Sequence, residues 1–552
     1  MGTPLVPAFR PVAGEFARHV AAEHGDRPLA VLGDDRLAYA EADHRSAALA
    51  KGLLASGVGK GTRLGLLAPN GPEWIVTWLA ASRIGAVVTL LNTYAPPLEL
   101  GWALRHSDTA VLVTVAAHRG HDYLARLAEA VPGIAGHAHE RIRVPSQPYL
   151  RAIWVLGSPE GDATPPWARP VADLVARGEE TDDALLATTE AEVSPADPMV
   201  VIYTSGSTGA PKGAIHTHGG VVRHGLNLSQ YRPLQAGYRV YTPMPFFWVG
   251  GLSFALVRAM HAGATVICEE RFEPAATLAL LERERVTHVL AWPHVGATLA
   301  AHPDAARRDL SSLRTGVPDL LPEDRRPPDP RLLASSLGMT ETLGPHLIDQ
   351  EGQVLPEAKR GSFGRTVAGL EHRVVDDAGR PVPPGQAGEL WVRGYSLMAG
   401  LHKREREQVF TADGWYPTGD VGWFDDDGHF YFTGRRGDLI KSRGMNVSPR
   451  EVEQELEQHP EVSRAVVVGI PAGADGEDVA AAVVVGDDPN GRACAVTAAE
   501  LTDRLRRTLS AYKVPRRVVL FDDADELPLL ESGKVDRRTL ADLIAKLAAS
   551  SD

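Results

Sequence analysis

Cysteine is nearly missing. The 552 residues contain two, Cys268 and Cys494, too far apart in sequence and too isolated to suggest a disulfide framework or a zinc site, and a reducing compartment fits this usage. An apolar run of about 18 residues is also lacking, so no integral membrane segment is expected. The opening stretch "MGTPLVPAFRPVAGEFARHVAAEHGDRP" has no charged start followed by a continuous apolar core, and a cytoplasmic protein is expected. Basic excess is absent as well: 57 Lys and Arg stand against 70 Asp and Glu, a formal net charge of -13. That balance argues against a nucleic-acid or anionic-membrane partner, and any anionic ligand must be met by a local arrangement. What is present, 44% hydrophobic and 23% charged residues, suits a globular chain long enough for two or more domains. Arginine outnumbers lysine and alanine is abundant, a texture of GC-rich bacterial genomes that carries no chemistry.

From about Leu37 to Val115, helical patterns ("AEADHRSAALAKGLLASGV", "PEWIVTWLAASRIGA") alternate with short apolar runs ("RLGLLAP", "AVVTLLN", "AVLVTV"). Such alternation predicts an α/β fold with a largely parallel sheet covered by helices. His137 to Pro198 reads as less regular, with prolines, charges and surface loops. Alternation resumes with the strands "MVVIYTS" and "ATVICEE" and the amphipathic helix "PAATLALLERERV", while "PDLLPEDRRPPDPRLL" cannot be a continuous helix,. After Gly361 the pieces become short and β-rich with aspartate-glycine turns, which predicts a subdomain of hairpins. Beyond Gly434 a compact α+β pattern follows, so a boundary is expected at Arg435 to Asp438.

One stretch suggests chemistry directly: "YTSGSTGAPKGAIHTHGG", Tyr203 to Gly220, placed after an apolar strand. Gly206, Gly209 and Gly213 permit close backbone approach, Thr204, Ser205, Ser207 and Thr208 offer hydroxyls, and Lys212 offers a cation, as a phosphate cradle needs. A flexible linker or plain hairpin is the other reading of the same residues. The spacing does not fit G-x-x-x-x-G-K-[ST], so an ordinary NTPase or kinase is not indicated.

The segment resembles the signature loop of the adenylate-forming superfamily, which includes acyl-CoA synthetases, luciferases and the adenylation domains of peptide synthetases. Further matches follow in that family's order: "LGMTET" (Leu337 to Thr342), "GELWVRG" (Gly388 to Gly394), "YPTGD" (Tyr416 to Asp420), "GRRGDLIKSRGMNVSPREVE" (Gly434 to Glu453) and "ESGKVDRR" (Glu531 to Arg538). The resemblance implies a large N-terminal domain, residues 1–434, binding ATP and the acyl group. It also implies a hinge at 435–438, including Gly437 and Asp438, and a small mobile domain, residues 439–552. It assigns Thr204, Ser205, Gly206, Ser207, Thr208, Gly209 and Lys212 to the outer phosphates, Thr340 to the α-phosphate and Glu341 to Mg²⁺. Asp420 would hold the ribose and Arg435 the ribose or a phosphate, with Gly316 and Leu337 about the nucleotide. Lys534 would be the lysine brought onto the α-phosphate and substrate carboxylate. Phe247, Trp248 and Gly338 fall in the acyl pocket, and Lys441 to Asn446, with Gly444, on the face shown to the pantetheine arm after the small domain rotates.

Three positions depart from that family's pattern. Leu337 stands where an aromatic residue usually stacks on adenine, Gly437 where the hinge usually has a charge, and Trp248 where CoA ligases often have histidine and α-amino-acid enzymes aspartate. With no ammonium ligand there, a hydrophobic acid, aryl or medium aliphatic, is the expected substrate, although Phe246, Phe247 and Trp248 also read as core or gate residues. The expected cofactors are ATP and Mg²⁺, with CoA or a carrier-protein phosphopantetheine as acceptor. The rival activities are a free-standing enzyme loading a carrier protein, a non-catalytic adenylate-binding protein, a kinase, and luciferase-like oxygenation. Retention of Glu341 and Lys534 weighs against the non-catalytic rival.

Overall fold

Two parallel-rich sheets face one another across a single very apolar helix. That helix, Pro72–Arg83, starts with proline at its first position, where the missing N–H costs nothing,. All its residues but Glu73 are buried, because it touches strands of both sheets and has no solvent face,. The larger sheet has eight strands; its centre, Val87–Leu90, Arg63–Leu67, Val111–Val115 and Ala152–Leu156, is parallel. At its other side Pro198–Thr204 runs parallel to Val87–Leu90 and then turns back antiparallel as Lys212–Thr217. The second sheet has five strands, of which Arg239–Tyr241, Thr265–Cys268, His288–Val289 and Pro28–Leu32 are parallel. Trp74, Trp78 and Phe246 fill the core between them.

The computed structural model describes residues 3–157, 164–204, 211–327, 329, 332–333, 335–435, 440–473, 476–485, 496–523, 526–529 and 535–549. The expected α/β alternation is present. The segment read as irregular, 137–198, nonetheless supplies the fully buried strand Ala152–Leu156 and the helices Val171–Arg177 and Asp183–Ala191. Five apolar residues bounded by polar ones carry no period, so a buried parallel strand of this length is hard to read from sequence.

A four-stranded antiparallel sheet, Leu370–Val375, Gly388–Gly394, Tyr416–Phe424 and Phe430–Arg435, forms the hairpin subdomain. The C-terminal part builds its own core on both faces of a three-stranded sheet, Val462–Pro471, Glu477–Val485 and Arg517–Phe521. Helices Pro449–Glu457, Ala498–Thr508 and Arg537–Ala549 cover it. The second of these begins with a capping box, Thr497 with Glu500,. The chain is thus a large N-terminal domain followed by a small one.

Candidate active site

The ends of the phosphate loop are register partners: Thr204 faces Lys212 across the antiparallel pair. Both are half-buried. Ser205, Gly206, Ser207, Thr208 and Gly209 lie outside the described residues, as do Gly437, Asp438 and Lys534. The "LGMTET" segment runs as strand Ser336–Met339 into a short 3-10 turn, Thr340–Thr342. One bond ties this turn directly to the loop's returning strand, and a second ties it to the segment beside that strand. His216 Nε2 donates to the Thr340 carbonyl at 2.8 Å, and the Met398 amide donates to the Glu341 carbonyl at 2.7 Å. Residue 399 bonds back to Ile215. Burial pushes the His216 imidazole down to about 3, so it is a neutral donor throughout the physiological range,. Nothing in the sequence reading singled out His216; its only signal is position, four residues past the lysine of the loop.

The Glu341 carboxylate accepts from the Tyr416 hydroxyl at 3.2 Å and is half-buried. Tyr416 opens the strand that carries Asp420, which is 1% exposed and stands directly across from Arg435. Asp420 and Arg435 thus share one rung of the ladder. Leu337 is packed with Leu347, Val374, Leu390 and Phe430. Gly338 and Gly316 are places of close backbone approach: a Cβ would stand 2.6 Å from the Gly344 carbonyl carbon and 2.5 Å from the Val289 oxygen respectively, and Gly316 has φ +129,.

The residues expected about the acyl group separate. Phe246 is core, edge-on to Trp74. Phe247 lines a cavity of about 430 Å³ together with Asn70, Tyr94, Trp292, Val295 and Arg443. Trp248 stands among Tyr94, Phe247, Trp292 and Tyr512, the last from the small domain, at ring separations of 5.0 to 6.4 Å. Asn70, not singled out in the sequence, fixes this turn from both sides: its amide donates to the Met244 carbonyl and its oxygen accepts from the Phe246 amide, at 2.8 and 2.7 Å.

The small domain presents the hairpin Ile440–Ser442 and Met445–Val447 to this cavity. Gly444 at its tip has φ +78, and a Cβ there would lie 2.4 Å from Trp292 Cδ1. Lys441 is exposed and sits over the Phe432 ring at 5.3 Å. A second cavity, about 960 Å³, opens between the domains and shares Thr93, Tyr94, His118 and Arg119 with the first. Arg119 and Arg126 of the large domain and Arg506, Arg516 and Arg517 of the small one line it. In a chain of net charge -13, this is a locally basic cleft leading to a chamber whose walls mix aromatic residues with Glu269, Glu270, Arg271 and Arg443.

The fold and these cavities define a two-domain α/β protein with a cleft between its domains. Family profiles agree: "AMP-binding enzyme" matches residues 17–402 and "AMP-binding enzyme C-terminal domain" matches 451–534. The chain belongs to the AMP-binding enzyme family, within the adenylate-forming superfamily, and is an AMP-forming ligase of the acyl-CoA synthetase kind. It is similar to a feruloyl-CoA synthase of Amycolatopsis, 35% identical over 91% of this chain and 93% of that one. It is likewise similar to an indoleacetate–CoA ligase of Aromatoleum aromaticum, 31% identical over 96% and 97%. Among solved structures, the amide bond synthetase McbA of Marinactinospora thermotolerans superposes with a TM-score of 0.78 at 28% identity, covering 96% of this chain and 99% of that one.

Members of this family use ATP and Mg²⁺. The donor set suits both. Mg²⁺ takes one or two carboxylates besides phosphate oxygens, and Glu341, held by Tyr416 beside the loop's returning strand, is such a carboxylate. No helix among the described residues is long and apolar enough to cross a membrane.

Proposed function

We propose that the protein activates a hydrophobic carboxylic acid, aryl or medium aliphatic, to its acyl-adenylate with loss of pyrophosphate, and then passes the acyl group to the thiol of CoA. The observation that carries this reading is the continuous pair of cavities. The inner one has Phe247, Trp292, Val295 and Phe272 on part of its wall, with Glu269, Glu270, Arg271 and Arg443 on the rest, and the aromatic part suits an apolar acyl group. The outer one is arginine-lined, which suits an acceptor bearing phosphates. The named activities of the feruloyl- and indoleacetate-utilising relatives support an aryl acid.

In the first stage Thr204 and Lys212, with the loop between them, hold the leaving pyrophosphate. Thr340 is aimed by His216, and Asp420 with Arg435 fixes the ribose. Bound Mg²⁺ on Glu341 would screen the charge that grows on the phosphate oxygens. Lys534 would donate to the α-phosphate and the acid, and for this the small domain turns about 435–438. In the second stage Gly444 and Lys441 border the entry of the thiol, which attacks the acyl carbon as AMP leaves.

The test is acid-dependent pyrophosphate release over aryl, medium-chain and amino acids, followed by acceptor competition. Aryl acids should release pyrophosphate and AMP. CoA should exceed pantetheine, which lacks the nucleotide, by about tenfold or more, the value of one charge-assisted phosphate contact. ADP as product, or equal use of pantetheine, overturns the reading. A second reading, transfer to an amine, draws on the likeness to the amide bond synthetase; amide formation without CoA selects it. Thioester formation only on a holo-carrier protein selects carrier loading.

A further inference from the structure

The small domain is held against the large one by an unusually buried cluster of charge. Glu99 lies in the first turn of the large-domain helix Pro97–His106. Its Oε2 accepts from the Ser510 amide at 3.1 Å and from the Ser510 hydroxyl at 2.7 Å, and its Oε1 accepts from Lys513 Nζ at 3.2 Å. Asn92 of the large domain also donates to the Ser510 hydroxyl, at 3.3 Å. Lys513 is 2% exposed and pairs as well with Glu451 of its own domain at 2.9 Å. One large-domain carboxylate therefore takes three small-domain donors, and every one of those bonds belongs to this single relative orientation. In the same orientation Gly444 seats on Trp292 and Tyr512 meets Trp248.

The composition of the cluster makes the contact reversible. An ammonium deprived of its only partner in a buried site is heavily penalised, but Lys513 keeps Glu451 when the domains part. Glu99, 13% exposed when docked, is returned to water at the end of a surface helix. We infer that Glu99, with Ser510 and Lys513 as its small-domain partners, is the positioning residue that selects the acceptor-ready orientation, and that it acts on the transfer stage alone. Glu99 is not among the residues that line either cavity, so its effect passes through the placement of the Arg443–Gly444 tip.

This inference rests on the two-stage reading above, and its test separates the two. Glu99→Ala, Glu99→Gln and Ser510→Ala are compared with wild type in three measurements. These are single-turnover pyrophosphate release, CoA-dependent consumption of preformed acyl-adenylate, and the spin-label distance between Ala128→Cys and Arg507→Cys, both exposed sites, in a Cys494→Ser background. Pyrophosphate release should stay within about twofold. Transfer should fall about tenfold in Glu99→Ala and less in Glu99→Gln and Ser510→Ala, while the docked distance loses population in the same order. Ser510→Ala leaves the helix carrying Glu99 intact and so guards against a folding effect there. Equal losses in both stages, unchanged transfer, or an unchanged distance distribution overturns the inference. Should no acid release pyrophosphate from the wild type, the functional reading fails, and the distance distribution alone still decides whether Glu99 holds the domains.

Discussion

The two domains treat buried titratable groups in opposite ways. The large domain buries neutral histidines: His216, His218, His224 and His372 are pushed down to about 3 or 4 by desolvation, and of these His216 donates to a carbonyl while His218 accepts from the Ala13 amide. The small domain has a single histidine after the hinge, His459, and instead buries an ammonium. Burial works against the charge of Lys513, but Tyr512, Glu99 and Glu451 outweigh it and hold the group above the ordinary lysine range. A neutral hydrogen-bonded imidazole fixes a backbone once and for all. A shared ion pair can be exchanged between partners. This contrast supports the proposed two-stage reading, in which the large domain would be a fixed receptacle for nucleotide and acid and the small one a movable part docked through an exchangeable contact.

The sharpest way to break this division of labour is at the two residues the small domain brings in turn. Lys534→Ala should lower pyrophosphate release about a hundredfold or more, the worth of a charged donor on developing phosphate charge, while transfer from preformed acyl-adenylate largely survives. Equal loss in both stages would mean that the lysine is structural. Gly444→Ala should do the reverse. It places a Cβ against the Trp292 indole and forces a side chain into φ +78, a strain of about 1–2 kcal/mol. Transfer should fall about tenfold, with pyrophosphate release unchanged. Loss of pyrophosphate release in Gly444→Ala would show that the hairpin also serves adenylation.

A smaller effect is expected where the large domain fixes its own turn. His216→Leu keeps the volume and removes the donor to Thr340, and should cost about 1 kcal/mol, a fivefold drop in the rate of adenylation, with little change in the KM for ATP. His216→Gln, which can still donate, should recover part of the rate, whereas a purely volumetric role would favour leucine.

These contrasts mark what the sequence could disclose. The strand before the loop, the TET segment, the strand that opens at Tyr416 and the hairpin about Gly444 fall on short runs that the sequence marks, while the roles given to them came from the resemblance. Glu99 with Ser510 was not legible, since the partners are 411 residues apart and no local pattern marks either. His216 with Thr340, 124 residues apart, was hidden for the same reason. Trp248 was legible as a departure, but its neighbours were not: two domains converge on it, and a sequence window sees only one.

The smallest effect on activity and the broadest on stability is acid sensitivity. An unfolded histidine titrates near 6.5, whereas His216, His218, His224 and His372 do not accept a proton until about 3 or 4. Between those values the unfolded chain binds protons that the native chain refuses, so stability falls as pH falls. The contribution is fully present above about pH 6.5 and is lost progressively toward pH 4. Thermal unfolding followed by tryptophan fluorescence tests this well, because nine of the ten tryptophans precede residue 420 and the tenth, Trp423, also lies before the hinge. The large-domain transition should drop steadily below pH 6.5. Signals from the small domain, such as exchange protection of the Val462–Pro471 strand, should hold over the same interval, because no imidazole is packed into its two core clusters. His372→Gln should flatten the large-domain slope. A small domain that loses protection in step with the large one over pH 6.5 to 5 would mean that the two unfold as a unit and that the contrast in their buried groups has no consequence for stability.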